Sequence, residues 1–270
     1  MFVIFGSSGY IGAHLVNYLL SKGESVIGIS RTEPKIFYNK ELFKFVKHDL
    51  LYPIKREDIV KDYNKPIYFI DTAAYANTVS NSPSTITNNS IITSNILNVL
   101  KEGDSYVHLS SLFAGCGSIY AQSKKVSDDI VEEFQKFINA SICILKISYP
   151  FGAVYALPNR DTVIGKLYYG NLTKVFKQAK GGYTYIMDIC KACEELCIKN
   201  VRGKYYILNS NSIALSDVCK LYEEANPSCK IEYEIVDNPK FKSAIIVDCQ
   251  EYPIEYTTNS DSKYWFNVFA

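Results

Sequence analysis

Short, mostly apolar runs alternate along the chain with longer segments in which apolar residues recur every three or four positions. The short runs are typical of strands buried in a parallel sheet, and the longer period is typical of amphipathic helices. The runs predict six strands, at residues 2–5, 25–29, 42–46, 66–70, 105–110 and 141–147. Helices are predicted over residues 11–21, 89–100 and 120–138. This alternation predicts an α/β fold built on a doubly wound parallel sheet.

The first predicted strand leads into a glycine-rich turn, Gly6-Ser7-Ser8-Gly9-Tyr10-Ile11-Gly12, that opens the first helix. Gly6 allows a tight turn, Gly9 lets backbone approach a pyrophosphate, and Gly12 lets the helix pack closely on the strand. Free N–H groups at the helix N-terminus favour an anion. In this strand–turn–helix–strand context we expect a Rossmann-type sheet that binds a dinucleotide, and the predicted contacts of the turn are Gly6, Ser8, Gly9, Tyr10, Ile11 and Gly12.

The second predicted strand ends at Ser30-Arg31-Thr32, the position that contacts the adenosine ribose of such a cofactor. An acidic residue there would bind the 2′-hydroxyl of NAD, but the position holds neither Asp nor Glu. A guanidinium after a hydroxyl suits a 2′-phosphate, which it can bind bidentately. Ser30 and Arg31 therefore favour NADP, with NAD as the alternative. Arg31 could equally be a solvated residue at a strand end.

Candidate catalytic residues follow the fifth predicted strand. Ser111 ends it, and Tyr120 and Lys124 open the next predicted helix four residues apart, on one helix face. A free tyrosine has a pKa of about 10, and an ammonium nearby favours the phenolate. We therefore expect Lys124 to lower the pKa of Tyr120 and make the phenol a usable proton donor or acceptor. The Ser111 hydroxyl would hydrogen-bond a substrate carbonyl or carbinol beside it.

A Tyr-x-x-x-Lys spacing also arises by chance on surface helices. The rest of the chain argues against chance here, because ligands of doubly wound sheets lie at the carboxyl ends of the strands. Four independent features fall at such predicted ends: Gly6, Ser30, Ala73 and Ser111.

Composition narrows the function classes. The 270 residues are 47% hydrophobic and 21% charged, as in an ordinary globular protein with one core, or a core and a small lobe. A balance of 29 basic and 28 acidic residues gives net charge +1, which favours neither nucleic acid nor an anionic membrane. We see no secretion signal or membrane-spanning segment and expect a cytoplasmic protein.

Eight irregularly spaced cysteines do not suggest a disulfide framework, so reduced thiols are expected. Cys190, Cys193 and Cys197 fall along one stripe of a predicted helix. They could be zinc ligands, but no second Cys or His pair stands at ligand spacing, and cysteine is also a good small core residue. We predict no metal site.

Assembled, these motifs resemble the extended short-chain dehydrogenase/reductase family of nucleotide-sugar epimerases, dehydratases and reductases. The resemblance covers residue 1 to about residue 215. Its motifs are Gly6-x-x-Gly9-x-x-Gly12, Asp49-Leu50, Ala73-Ala74, Asn89 with Thr93, Ser111, Tyr120-x-x-x-Lys124, Lys146-x-x-Tyr149-Pro150-Phe151-Gly152 and Tyr183 to Asp188.

The resemblance implies a role for each matching position. Tyr120 would exchange a proton with the sugar carbinol, Lys124 would hold the nicotinamide ribose, and Ser111 would polarise the keto oxygen. The hydride comes from the cofactor. Further implied cofactor contacts are Asp49, Leu50, Ala73, Ala74, Asn89, Tyr149 and Phe151. Implied substrate contacts are Tyr75, Ser111, Leu112 and Tyr149.

The chain departs from the family pattern in its catalytic loop. Only eight residues separate Ser111 from Tyr120, and Leu112 and Phe113 stand where dehydratases carry an acidic pair. Water elimination needs an acid and a base there, so dehydratase is disfavoured. The compact form resembles small deoxyhexose reductases such as the CDP-paratose and CDP-abequose synthases.

We therefore predict an NADPH-dependent reductase of a nucleotide-linked 4-keto sugar in surface-polysaccharide synthesis. The alternatives are an NAD-dependent 4-epimerase and a non-catalytic cofactor-binding protein. Residues 1–150 would form the dinucleotide-binding domain, and residues 151–270 a smaller substrate lobe partly interleaved with the sheet. The resemblance implies a homodimer formed through the helices that carry Asn89 and Tyr120.

Overall fold

The computed structural model describes residues 1–61, 67–76, 82–152, 162–176, 183–208, 215–228, 230–236 and 248–257. The strands in chain order are β1 (Phe2–Phe5), β2 (Val26–Ser30), β3 (Phe43–Lys47), β4 (Tyr68–Asp71), β5 (Ser105–Ser111), β6 (Ser141–Ile147), β7 (Tyr149–Phe151), β8 (Lys174–Phe176), β9 (Tyr183–Tyr185), β10 (Gly203–Ile207), β11 (Glu234–Val236) and β12 (Gln250–Glu251). The α-helices are α1 (Tyr10–Ser21), α2 (Arg56–Ile59), α3 (Ser84–Leu97), α4 (Ile119–Phe134), α5 (Val163–Tyr168), α6 (Ile186–Ile198) and α7 (Leu215–Ala225).

Eight of these strands form one sheet in the order β12-β10-β6-β5-β4-β1-β2-β3, and every neighbouring pair in it is parallel. The order reverses between β1 and β4, the switch point at which doubly wound sheets bind ligands. The predicted Rossmann-type α/β fold is confirmed.

The central strands are buried on both faces and separate two apolar layers. In β1, Phe2 and Ile4 face the layer that contains α1 and α6, whereas Val3 and Phe5 face the layer on the α3 side. Such burial on both faces explains why the strands read as continuous apolar runs. The helices pair on each side, α1 with α6 and α3 with α4.

Predicted and observed boundaries agree for most elements, and two helices differ. Helix α3 begins at Ser84 rather than at residue 89 and ends at Leu97, so Leu100 is a buried residue beyond the helix. Helix α4 ends at Phe134 rather than at residue 138, and Phe137 after it is 85% exposed. The apolar spacing continues past the C-terminal ends of both helices, so the prediction placed these ends too late in the chain. The predicted start of the fourth strand at residue 66 lies outside the described residues.

The chain beyond residue 150 also contributes to the main sheet. Strand β10 joins the main sheet by pairing in parallel with β6. The short β9 leads directly into α6, whose first turn carries Asp188. The division at residue 150 itself stays a prediction. Among the described residues no helix is both long and apolar enough to cross a bilayer.

Candidate active site

The glycine turn between β1 and α1 is built so closely that side chains would not fit. Gly6 has a φ of +78°, and its carbonyl accepts a hydrogen bond from the N–H of Gly9 at 2.9 Å. A Cβ on Gly12 would lie 2.2 Å from that same carbonyl oxygen. No side chain caps the N-terminus of α1. The turn therefore offers backbone N–H groups and the positive end of a helix, which fits the pyrophosphate of a dinucleotide.

A cleft of about 180 Å³ extends from this turn over the carboxyl ends of β2, β1 and β4. Hydroxyl groups hydrogen-bond the glycine turn to the end of β2. Ser7 Oγ lies 2.9 Å from Ser30 Oγ, and Thr32 Oγ1 donates to Ser8 Oγ at 3.1 Å. Of the residues predicted to contact cofactor, the cleft is lined by Gly6, Ser8, Gly9, Ser30, Arg31, Asp49, Leu50, Ala73 and Ala74.

The far end of the cleft is shaped by the loop after β3. Asp49 accepts a hydrogen bond from the N–H of Leu51 at 3.1 Å, which fixes the turn. His48, which the sequence analysis did not single out, also lines the cleft. Arg31 is exposed at this end. Among the described lining residues, Asp49 is the only carboxylate.

The loop after β4 forms the cleft floor beneath the glycine turn. Thr72 Oγ1 donates to the carbonyl of Phe5 at 2.8 Å, and the N–H of Ala73 donates to Asp71 Oδ1 at 2.8 Å. A Cβ on Gly6 would meet the Ala73 nitrogen at 2.8 Å, so only glycine permits this close approach. Ala73, Ala74 and Tyr75 therefore lie along the cleft, as predicted for cofactor and substrate contacts.

Asn89 joins that loop to the catalytic helix. Its Oδ1 accepts from the N–H of Tyr75 at 2.6 Å, and its Nδ2 donates to Ser123 Oγ at 2.8 Å. Ser123 Oγ in turn donates to the carbonyl of Tyr120 at 2.6 Å. Asn89 is 3% exposed and bonded to both elements. The structure thus shows it as a positioning residue, and direct contact with cofactor stays a prediction.

The three predicted catalytic residues come from neighbouring elements. Ser111 is the last residue of β5, and its Oγ accepts from the N–H of Phe113 at 3.1 Å, which leaves its own proton to donate. Ser118 caps α4 by accepting from the N–H of Ala121 at 3.1 Å. This cap begins the helix one residue before Tyr120 and sets the turn that carries it.

Lys124 is buried below that turn, and its Nζ donates to the carbonyl of Leu109 at 2.7 Å. Burial lowers the pKa of Lys124, and the negative charges of Asp71 and Asp128 oppose this effect. Burial raises the pKa of Tyr120 to about 12. This rise is due to burial alone, so the expected lowering of the Tyr120 pKa by Lys124 is not seen in this structure.

Several aromatic side chains that pack against one another come from the segment after β6. The ring of Tyr149 lies 5.0 Å from Phe113 and 5.3 Å from Tyr183, in a row that leads away from Ser111. Phe151 is buried against Tyr185. Rings stacked in this way form a rigid amphipathic wall.

Leu112 is 1% exposed, and its N–H donates to the carbonyl of Ile147 at 2.9 Å. Its side chain is therefore part of the interior, and the substrate contact predicted for it remains untested.

Sequence reasoning missed a cluster of buried ionisable residues beneath the site. Asp71, His108 and Lys146 occupy inward positions near the carboxyl ends of β4, β5 and β6, and Asp128 faces them from α4. The available signal was a charged or imidazole residue within each otherwise apolar strand.

The cysteine stripe is confirmed as a feature of α6. Cys190, Cys193 and Cys197 are fully buried, and burial raises the pKa of each thiol. In the part of the chain that the structure describes, no group of three His, Cys, Asp or Glu side chains could hold a metal ion. These thiols serve as small core residues.

The sheet is doubly wound, has a glycine turn at its switch point, and carries a serine, a tyrosine and a lysine on adjoining elements. This arrangement is typical of the short-chain dehydrogenase/reductase class. A sequence model of the NAD-dependent epimerase/dehydratase family matches residues 2–205. The chain belongs to this family.

Individual relatives are distant. UDP-glucuronic acid decarboxylase 4 of Arabidopsis thaliana is 21% identical over 285 aligned positions, which cover 92% of this chain and 63% of that protein. The chain thus spans less than two thirds of the length of this curated relative.

Solved structures share the fold at low identity. A UDP-glucuronic acid 4-epimerase from Bacillus cereus, in complex with UDP-glucuronic acid and NAD, has a TM-score of 0.70 at 18% identity, over 98% of this chain and 96% of that one. A dTDP-glucose 4,6-dehydratase from Bacillus anthracis, in complex with NAD, has a TM-score of 0.68 at 16% identity, over 98% and 94%. At these identities the likeness shows the fold alone.

Proposed function

We propose that the protein is an NADPH-dependent reductase of a nucleotide-activated 4-keto sugar. The observation that carries the proposal is that Ser111, Tyr120 and Lys124 lie on the adjoining elements β5 and α4 of a sheet whose switch point has a cleft lined by the glycine turn and Arg31.

The choice of NADPH rests on the adenosine end of the cleft. Arg31 follows β2, whose last residue Ser30 donates to the carbonyl of Thr32 at 2.6 Å. This bond orders the strand end and leaves the guanidinium exposed, where it would bind a 2′-phosphate bidentately.

The chemistry assigned to the chain is proton transfer and orientation. The nicotinamide, when bound, supplies the hydride that reduces the keto carbon. Ser111 Oγ would donate to the keto oxygen, and Tyr120 would transfer its phenolic proton to that oxygen as the alcohol forms. Since burial raises the pKa of Tyr120 to about 12, the phenol carries its proton at neutral pH, as reduction requires. Lys124 would orient the ribose.

Dehydration is disfavoured by the residues after Ser111. Leu112 and Phe113 are apolar, and Leu112 is buried, so they provide neither acid nor base for water elimination.

An NAD-dependent 4-epimerase is the second candidate, and the match to the NAD-dependent epimerase/dehydratase family model favours it. An epimerase would use the same residues and return the hydride. Retention of NAD by the purified protein, with sugar interconversion but no net cofactor consumption, would establish this alternative and refute the reductase.

The test is a cofactor assay with nucleotide sugars. UDP-, CDP-, GDP- and dTDP-4-keto-6-deoxysugars are mixed with NADPH or NADH, and the loss of absorbance at about 340 nm is followed. We expect NADPH consumption with one nucleotide series. Tyr120→Phe should lower kcat by about 100-fold or more with cofactor KM nearly unchanged. Arg31→Ala should raise KM about tenfold or more for NADPH and leave that for NADH unchanged.

We further propose a cytoplasmic homodimer assembled through α3 and α4, acting in surface-polysaccharide sugar synthesis. The two helices pack on each other at one side of the sheet, and Ile91 on α3 is 39% exposed. Light scattering of the purified protein tests the dimer, and a monomer at micromolar concentration would contradict it.

A further inference from the structure

The buried cluster beneath α4, with Lys124 next to it, contains charged side chains that folding alone does not require. Asp71, His108, Lys124, Asp128 and Lys146 are each 5% exposed or less. Removing charged groups from water is costly, and well-packed apolar residues in the same places would often be as stable or more stable. The arrangement therefore calls for a reason other than stability.

Most members of the cluster have a close partner of their own. Asp71 accepts from Ala73 N–H at 2.8 Å and from Tyr106 at 3.2 Å, and lies 2.9 Å from His108 Nδ1. Lys146 Nζ donates to Asp248 Oδ1 at 2.6 Å, an ion pair that reaches the surface. Lys204 Nζ also donates to Asp248, at 3.0 Å, so Lys146 shares this surface carboxylate with a second lysine.

Asp128 is the exception. Its Oδ1 lies 3.6 Å from His108 Nε2, and its Oδ2 lies 3.8 Å from Lys146 Nζ. Within the described residues neither oxygen accepts a hydrogen bond, although the residue is 1% exposed. A buried carboxylate without hydrogen bonds does not stabilise the fold by bonding, so its effect on its neighbours is electrostatic.

The cation that lacks a carboxylate partner of its own is Lys124. Its one hydrogen bond in the described chain goes to a neutral carbonyl, that of Leu109. Lys124 and Asp128 are four residues apart on α4 and both are buried on its inner face. The charges that act on Lys124 are those of Asp71 from β4 and Asp128 from α4. Tyr106 and His108 from β5 and Lys146 from β6 contact these two carboxylates in turn.

We propose that Asp71 and Asp128 are electrostatic positioning residues that together keep the buried Lys124 protonated beside Tyr120. The catalytic consequence rests on the proposed function above, but the charge state of Lys124 does not. An ammonium can donate to a ribose hydroxyl and to Leu109 at the same time, whereas a neutral amine loses charge and a donor.

The proposal is tested by titrating Lys124 directly. Protein labelled with ¹³C at lysine Cε is followed by NMR from pH 6 upward, and the signal is assigned by its loss in Lys124→Arg. Asp128→Asn removes the negative charge at constant shape and breaks no hydrogen bond among the described residues. Loss of a nearby opposite charge typically shifts a pKa by about 1–3 units, so we expect the midpoint to fall by about one pH unit or more.

Glu194→Gln is the matched control. Glu194 is a 7% exposed carboxylate on α6, across the sheet, that binds Tyr18 and Lys22. Its removal should leave the Lys124 midpoint unchanged. Asp71→Asn keeps an acceptor for Ala73 N–H and should lower the Lys124 midpoint as Asp128→Asn does. If Asp128→Asn does not fold, Asp71→Asn alone tests the proposal.

An unchanged midpoint in the folded variants would overturn the proposal. With an active reductase, the alkaline limb of kcat should move to lower pH by the same interval in Asp128→Asn. Since the NMR midpoint needs no substrate, a protein that reduces no keto sugar would refute the proposed function and leave this inference to be decided separately.

Discussion

The link from Asn89 to Ser123 joins the cofactor loop to the catalytic helix, and its removal should affect both. Asn89→Ala deletes an acceptor at 2.6 Å from Tyr75 N and a donor at 2.8 Å from Ser123 Oγ. A net hydrogen bond contributes about 0.5–1.5 kcal/mol, and a buried group left unpaired costs about 1–3 kcal/mol. We expect Asn89→Ala to lower the free energy of unfolding by about 2–4 kcal/mol.

A double-mutant cycle isolates the link. Ser123→Ala alone removes the bonds to Asn89 and to the carbonyl of Tyr120, and should cost about 1–2 kcal/mol. Combined with Asn89→Ala, the shared bond is lost only once, so the two changes should fall short of additivity by about 1 kcal/mol. Urea unfolding followed by circular dichroism measures all four proteins.

Asn95→Ala is the control on the same helix. Asn95 is buried and donates to the carbonyl of Leu50 at 2.9 Å, without contact to Ser123. Its effect should add to that of Ser123→Ala. Dinucleotide affinity, measured by fluorescence, should fall about tenfold in Asn89→Ala because the Tyr75 loop loses its anchor. A coupling energy below about 0.3 kcal/mol between Asn89 and Ser123 would refute the link.

Two further predictions concern α1. Gly12→Ala places a methyl group 2.2 Å from the carbonyl oxygen of Gly6 and should abolish dinucleotide binding in calorimetry. Gly23→Ala is the control: its Cβ would meet nothing within 4 Å, so binding should stay intact despite a φ of +79°. Equal binding by both variants would contradict the role given to Gly12. Burial lowers the pKa of His14 to about 4 from an ordinary value of about 6.5. Between these two pH values the unfolded chain binds a proton that the folded chain excludes. The free energy of unfolding should therefore fall by up to about 3 kcal/mol as the pH drops from about 6.5 to 4. His14→Gln should flatten this part of the urea-unfolding pH profile, and an unchanged slope would count against it.

Local patterns predicted most of the fold. The glycine turn, β1, α1 and β2 follow from residues that are adjacent in the chain, and β6 has the predicted bounds. Helix ends were less well predicted, as in α3 and α4, because apolar spacing continues past the last helical hydrogen bond. Pro83, the N-cap of α3, was the missed sign of its early start.

The sequence by itself determined the chemistry that depends on short spacing. Tyr120 and Lys124 share a face because four residues are slightly more than one helical turn, and Gly6, Gly9 and Gly12 make a turn that only small residues allow. These features are local, so no knowledge of the remaining chain is needed to find them.

Only the tertiary structure decided which distant groups meet. Strand order brings Asp71 beside His108, and the packing of α3 on α4 brings Asn89 to Ser123, which is 34 residues away. Burial then sets the direction of each pKa, raising that of Tyr120 and lowering that of Lys124. Desolvation depends on every neighbour that excludes water, and no spacing in the sequence records that.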